Sequence, residues 1–450
     1  MIADTRNLAD LLEGLGTGRL TSEALTEEAL ARARTPEGRV VHTELFEVEA
    51  LTQARAVDRM RRAGLPAGPL AGLPISVKDL VDVAGYRTRA GSKALADAPP
   101  AETDAPIVKR LRAAGAILTG HTNMTEFAFS GLGVNPHYGT PGNPWDRNRI
   151  PGGSSSGAAV SAADGMAAAA IGTDTGGSVR IPAAFCGLAG FKPTRQRSDI
   201  RGVVPLSTTL DSIGPLARSI SCCALLDAVL AGEPPAPLIP LNGIRLAAPQ
   251  TYLLDDLDDA VATAYGRALS ALSAAGARIE EVPFKHLSKL PELLKGGGIV
   301  TAESFAWHRD LLAAKGDLYD PRVRARLDLG AAMSAADYLA ILAAREEQIA
   351  VMDQALAPFD AAVFPTVALV APEIAALEDG ETYTRLNLLT LRNPSMANLL
   401  NLCCATIPCQ APGDLPVGLS VAGRRHSDAH TLRVALTLET MLKDAGLGTL

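Results

Sequence analysis

GGSSSGAAVSAADGMAAAAIGTDTGGSVRIPAAFCGLAGFKPT, residues 152–194, is crowded with hydroxyls, glycines and alanines and contains no histidine. Two of its serines compete as nucleophile. Gly153-Ser154-Ser155-Ser156-Gly157 fits GxSxG with Ser155 at the centre, a pattern that serves as a nucleophile elbow when it follows directly on a strand and has an acid and a histidine downstream. His286, His308, His426 and His430 could supply the histidine, but NPWDRNRIPG (143–152) ahead of the motif reads as a loop, which opposes the elbow. The other candidate is Ser178 in GTDTGGSVRIP (172–182), where an apolar run enters a glycine pair and then a serine. Adjacent glycines let the backbone approach a substrate and leave N–H groups unpaired, as an oxyanion hole requires. A serine that only caps the next segment is the plainer alternative.

Working outward, APIVKRLRAAG (105–115) has helical spacing and AILTGHTN (116–123) reads as a strand. PISV (74–77) has strand length and ends at Lys78-Asp79, after an Arg-studded helix over 51–63. Leu8, Leu11, Leu12 and Leu15 share one helical face, and Leu25, Ala29 and Ala33 repeat the pattern after a Gly-rich break, so a helical hairpin opens the chain. Downstream, AGEPPAPLIPLNG (231–243) reads as a surface loop within one fold and IRLAAP as a strand. Residues 257–285 and 333–357 read as helices, 360–366 and 415–423 as strands, and 428–444 as a closing helix. Alternating strands and helices predict an α/β fold built on one twisted, mixed, mostly parallel sheet covered by helices on both faces.

Composition excludes several functional classes. The chain has 450 residues, 47% apolar and 20% charged, with a net charge of −7 and no dense Lys/Arg run, so neither nucleic acid nor an anionic membrane is expected as a partner. No apolar run of 18 residues occurs, and Asp4 and Asp10 stand where a signal peptide would be basic and then apolar. A soluble, cytoplasmic protein is expected. Cys186, Cys222, Cys223, Cys403, Cys404 and Cys409 show no CxxC spacing and read as reduced core thiols. His426 and His430 have the spacing of two metal ligands but no evident third, so neither metal nor cofactor is expected.

Ser178 lies 24 residues after Ser154, and Lys78 precedes both in PISVKD. With LAGLPISVKDLVDVAG (70–85), GHTNMTEFAFSG (120–131), NPHYGTPGNPWD (135–146), GPLARS (214–219), FDAAVFPT (359–366) and LPVGLSVAGR (415–424), this pattern resembles the amidase signature family over nearly the full chain. The resemblance implies one amidase domain over 1–450: N-terminal helices to 65, a catalytic core over 66–230, and the remainder of the sheet with the substrate-specificity region over 244–450. It implies Ser178 as nucleophile, Ser154 as a bridging serine after a cis Gly153-Ser154 peptide, and Lys78 as base. The backbone amides of Thr175, Gly176, Gly177 and Ser178 match the family's oxyanion hole, and Asp174, Arg180 and Ser155 match orienting positions. A small amide or ureido-type substrate and water are then the reactants, with a homo-oligomer possible. A glutaminase-like subunit of a tRNA-dependent amidotransferase and an aryl or indole-acetamide amidase are the alternatives. A scaffold that only binds ligand is opposed by the three intact catalytic positions.

The implied chemistry sets a physical condition. A lysine with its reference pKa of ~10.4 is neutral only about once in a few thousand at pH 7, so a Lys78 base must be depressed by burial, at about 1.4 kcal/mol per pH unit. Ser154 can relay because a hydroxyl both donates and accepts. Ser156, Ala158 and Gln196 depart from the commonest family residues. Arg195, Arg197 and Arg201 follow the signature; they could hold a substrate carboxylate or lie solvated in a loop. Met124, Phe127, Phe129, Trp145, Trp307 and His308 are candidates for an acyl pocket, with core packing as the alternative for each.

Overall fold

Strand order decides where the chemistry sits. The computed structural model describes residues 6–235 and 237–449; Asp4 and the centre of the 231–243 loop lie outside them. The strands are β1 (His42–Leu45), β2 (Pro74–Lys78), β3 (Ile117–Thr122), β4 (Ala169–Asp174), β5 (Ala189–Lys192), β6 (Ser212–Ala217), β7 (Arg245–Pro249), β8 (Arg278–Val282), β9 (Ala361–Pro365), β10 (Cys403–Pro408) and β11 (Gly418–Gly423). Among the described residues they form one sheet in the order β1-β3-β2-β4-β6-β5-β10-β11-β9-β7-β8. The 231–243 segment links the helix Ile220–Ala231 to β7 of the same sheet, so it joins parts of one fold.

The sheet is mixed, but antiparallel pairings are in the majority, which corrects the expectation of a mostly parallel one. β2–β3, β2–β4, β7–β8 and β7–β9 are parallel; β1–β3, β4–β6, β5–β6, β5–β10, β10–β11 and β9–β11 are antiparallel. Five of those six antiparallel pairs contain β1, β5, β6 or β10, strands the sequence reading passed over. β5, β6 and β10 are buried on both faces and show no period-2 alternation, and Gly190, Gly214-Pro215 and Pro408 interrupt their apolar runs. A second correction concerns 257–285: the helix spans only Asp259–Ala274, because Gly276 turns the chain with φ +98° and RIEEV then pairs as the edge strand β8.

Alternation along the strands builds two cores. Ala169 and Ile171 of β4, Ala361 and Val363 of β9, and Cys403 and Ala405 of β10 share a cluster with the helices Ile220–Ala231 and Asp428–Asp444. Ala170 instead meets the helices Ser156–Ala163 and Arg180–Cys186, while Ala362, Phe364 and Cys404 meet Ala335–Leu356 and Gly380–Leu399. Helices therefore cover both faces. All six cysteines are buried free thiols. Among the described residues no single helix is long and apolar enough to cross a membrane.

Candidate active site

β2 lies between β3 and β4, parallel to both, and its five residues are buried. Alternation sends Ile75 and Val77 into one core and Ser76 and Lys78 to the opposite face, where Ser76 Oγ meets Ser161 Oγ at 2.7 Å on the helix Ser156–Ala163. Lys78 is thereby aimed at the segment that leads into that helix. This helix can lie so close because its residues are small; a Cβ on Gly157 would stand 2.4 Å from the Val41 carbonyl oxygen and 2.6 Å from the Asn123 nitrogen.

The Gly153-Ser154 peptide is cis. Lys78 Nζ donates to Ser154 Oγ at 2.8 Å and to Thr173 Oγ1 at 2.9 Å. Burial drives the Lys78 pKa from 10.5 down to about 7, and the charges of Asp211 and Asp174 only partly oppose it. The ammonium is thus half neutral near pH 7. Ser155 ties the two serine-bearing segments together: its amide donates to the Ser178 carbonyl at 3.3 Å and its hydroxyl to the Thr173 carbonyl at 3.3 Å.

Ser178 follows β4 in the turn Thr175-Gly176-Gly177, where Gly177 has φ +122° and a Cβ would stand 2.6 Å from Pro394. Asp174 organises this turn. Its carboxylate accepts the amides of Gly177 (2.9 Å), Val179 (3.2 Å) and Arg180 (3.4 Å), the Arg180 guanidinium (3.0 and 2.9 Å) and Asn398 Nδ2 (2.9 Å). Burial alone would raise this carboxyl, but the Arg180 charge and these donors hold it at about 2. The ion pair is fully buried, and Arg180 also donates to Asn398 Oδ1 at 2.7 Å.

The Gly177 N–H is directed at Asp174, whereas the N–H groups of Gly176 and Ser178 have no acceptor among the described residues. The Ser178 hydroxyl likewise has no hydrogen-bond partner among them, whereas Ser154 Oγ is bonded to Lys78.

Three participants escaped the sequence reading. Thr173 holds Lys78, Asn398 braces Asp174 and Arg180, and Asp211 accepts Thr175 Oγ1 at 2.5 Å together with the amides of Leu206 and Ser207. Burial lifts the Asp211 carboxyl to about 6 despite these donors and Lys78. Thr173 was visible inside the quoted motif, whereas Asp211 and Asn398 carry no local signal and reach the turn only through tertiary packing.

The remaining candidates separate. Phe127, Trp307 and His308 assemble with Tyr319 into an aromatic cluster, in which burial pushes His308 down to about 4. Trp145 instead donates to the Cys186 carbonyl, and Met124 is fully buried. Arg197 pairs with Asp227 and Glu233, Arg201 with Asp199, and Arg195 donates to the Thr208 carbonyl. His430 bonds Asp360 at 3.0 Å, and His426 contributes its amide to Thr194 Oγ1.

A sequence model of the amidase family matches residues 24–432. The chain is 36% identical to a 2-amino-5-chloromuconic acid deaminase of Comamonas testosteroni, covering 97% of this chain and 96% of that protein. It is 34% identical to a glutamyl-tRNA(Gln) amidotransferase subunit of Chloroflexus aggregans, with 93% of each covered. A crystal structure of an amidase superposes with a TM-score of 0.89 at 37% identity, covering 97% of this chain and 99% of that one. Fold, buried lysine and glycine-rich serine turn agree with this kinship: the chain belongs to the amidase signature family, hydrolases of amide C–N bonds.

Proposed function

We propose that Ser178 is the nucleophile of an amidohydrolase, with Ser154 as proton relay and Lys78 as base, acting on a small carboxamide. The observation that carries this reading is the buried Lys78 Nζ, 2.8 Å from Ser154 Oγ and with a pKa of about 7. A base poised near the operating pH is half deprotonated without being too weak to accept a proton.

Neutral Lys78 accepts the Ser154 proton as Ser154 takes the Ser178 proton, and Ser178 Oγ bonds to the substrate carbonyl carbon. The oxygen of that carbonyl becomes an anion facing the Gly176 and Ser178 N–H groups. Collapse breaks the C–N bond, and the leaving ammonia or amine collects a proton back through Ser154 from Lys78. Water then adds to the acyl ester by the same relay and frees the acid and Ser178. Thr173 keeps the lysine aimed, and Asp174 with Arg180 keeps the turn open. The free buried thiols favour a reducing, cytoplasmic setting.

A second reading, in which the chain passes ammonia to a partner as one component of an amidotransferase, draws on the 34% identity to such a component. One experiment addresses both. Ammonia release from small amides by the purified chain alone, abolished in Ser178→Ala, supports the hydrolase; turnover only with an added partner supports the amidotransferase, and full activity of Ser178→Ala refutes Ser178 as nucleophile.

A further inference from the structure

We propose that a cavity beside the turn that carries Ser178, lined by Arg110, Arg195, Gln196 and Ser198, binds a small metabolite through a carboxylate or phosphate oxyanion, and that its occupancy slows the enzyme. The cavity holds about 410 Å³, room for a small organic anion, and Lys78, Ser154 and Ser178 are not in its wall. Its arginines differ in how they are paired. Arg197 is neutralised by Asp227 at 2.9 Å and Glu233 at 2.7 Å. Arg110, on the helix Pro106–Ala113, and Arg195 have no carboxylate within salt-bridge distance among the described residues, whereas the partly buried Arg89, Arg112 and Arg147 each do. Arg110 gives one N–H to the Leu230 carbonyl, and a Cβ on Gly232 would stand 3.1 Å from its Cζ, so the guanidinium lies against bare backbone. Arg195 gives one N–H to the Thr208 carbonyl, while its Nε is buried without a partner.

The carboxylates of the wall are already engaged, Asp199 by the amide and guanidinium of Arg201 and Asp211 by Thr175, Leu206 and Ser207. Two guanidiniums with donors still open in one cavity are suited to an oxyanion. Two neighbouring side chains support the same ligand. Ser198 is 5% exposed, yet its hydroxyl has no partner, although a buried hydroxyl is normally bonded. Gln196 holds φ +72°, a left-handed conformation that favours glycine, and its side-chain amide has no partner among the described residues. Such strain persists where a particular side chain is needed, and here it sets an amide in the cavity wall. Asp211 forms the wall toward the turn, bonding Thr175 Oγ1 at 2.5 Å, and its charge together with that of Asp174 favours the ammonium form of Lys78. A further negative charge placed beside Asp211 adds to that effect and keeps more of the lysine protonated.

Calorimetric titration with inorganic phosphate and with succinate, at fixed ionic strength, separates the two sources of oxyanion. At least one of them is expected to bind wild type with a Kd below about 1 mM, and Arg110→Gln and Arg195→Gln should each weaken that binding about tenfold. Arg110→Lys should lose less. Gln196→Gly should weaken binding about threefold without lowering the urea midpoint, because it relieves the left-handed backbone while removing a donor. At pH 7 the bound anion should lower kcat at saturating amide about twofold in wild type and leave kcat of Arg195→Gln unchanged. Saturable binding of neither anion, affinity unaltered in both arginine variants, or an anion that raises KM alone and so occupies the substrate's own site overturns the proposal. Should one arginine variant fail to fold, the other and Gln196→Gly decide the outcome, since they approach the cavity from different segments.

Discussion

Replacing Lys78 by Met removes the proposed base and also a concealed electrostatic strain, and the two effects separate by pH. In the folded chain the Lys78 pKa is about 7 against 10.5 for the free side chain, so the fold opposes its protonation by about 5 kcal/mol, at about 1.36 kcal/mol per pH unit. Between pH 7 and 10.5 the unfolded lysine is protonated and the folded one neutral. The unfolded state then binds one more proton, so wild-type stability rises with pH by about 1.36 kcal/mol per unit. Below pH 7 both states are protonated and the full penalty remains. Lys78→Met carries no such proton. Urea unfolding of both proteins should show wild type gaining about 2.7 kcal/mol on the variant from pH 7.5 to 9.5. Near pH 6 the variant should be the more stable by several kcal/mol, less about 2 kcal/mol for the lost bonds to Ser154 and Thr173. A difference between the two that stays constant across pH 7.5–9.5 would refute the depressed pKa and, with it, Lys78 as base.

Other perturbations probe the surrounding groups. The acid limb of kcat/KM should titrate near pH 7, activity rising as Lys78 deprotonates, and Asp211→Asn should move that limb to lower pH by removing a charge that favours the ammonium; a shift to higher pH would contradict the arrangement. Asp174→Asn leaves Arg180 buried without its counter-ion and should cost ~3–5 kcal/mol by denaturant titration, far beyond a surface ion pair. Gly177→Ala combines φ +122° with a contact of 2.6 Å to Pro394, so a loss of about 1–3 kcal/mol and a collapse of kcat are expected; wild-type behaviour would mean that the turn is not strained.

The site was more legible than the frame that holds it. Lys78, Ser154 and Ser178 are legible together, through the resemblance to the amidase signature family; a strand that ends in lysine, a serine-glycine run and a Gly-Gly-Ser turn each leave a local mark, but none assigns a role by itself. β5, β6 and β10 left none, since strands covered on both faces lose their alternation and theirs are interrupted by glycine and proline. The helical period over 257–285 continues in the sequence across Gly276, but there the chain turns and five further residues pair as an edge strand. Asp211 and Asn398 could not be found from spacing, because each reaches the turn from a distant segment: Asp211 is 36 residues from Thr175, and Asn398 is 224 from Asp174. Gly177 falls among the family's oxyanion donors by position alone. Its amide is drawn instead to a buried carboxylate whose oxygens all require partners.

The parallel seam between β2 and β4 bears on how the enzyme assembles itself. The register pairs Val77 with Ile171, and the lysine reaches Ser154 across 76 residues of chain. Loops of that length close late, because their entropy is lost before the contacts they permit are gained. Secondary structure and much of the core can therefore form while Lys78 still has the protonation of an ordinary surface amine. In refolding experiments, ellipticity should recover before amide hydrolysis, and the return of activity reports that the seam has closed.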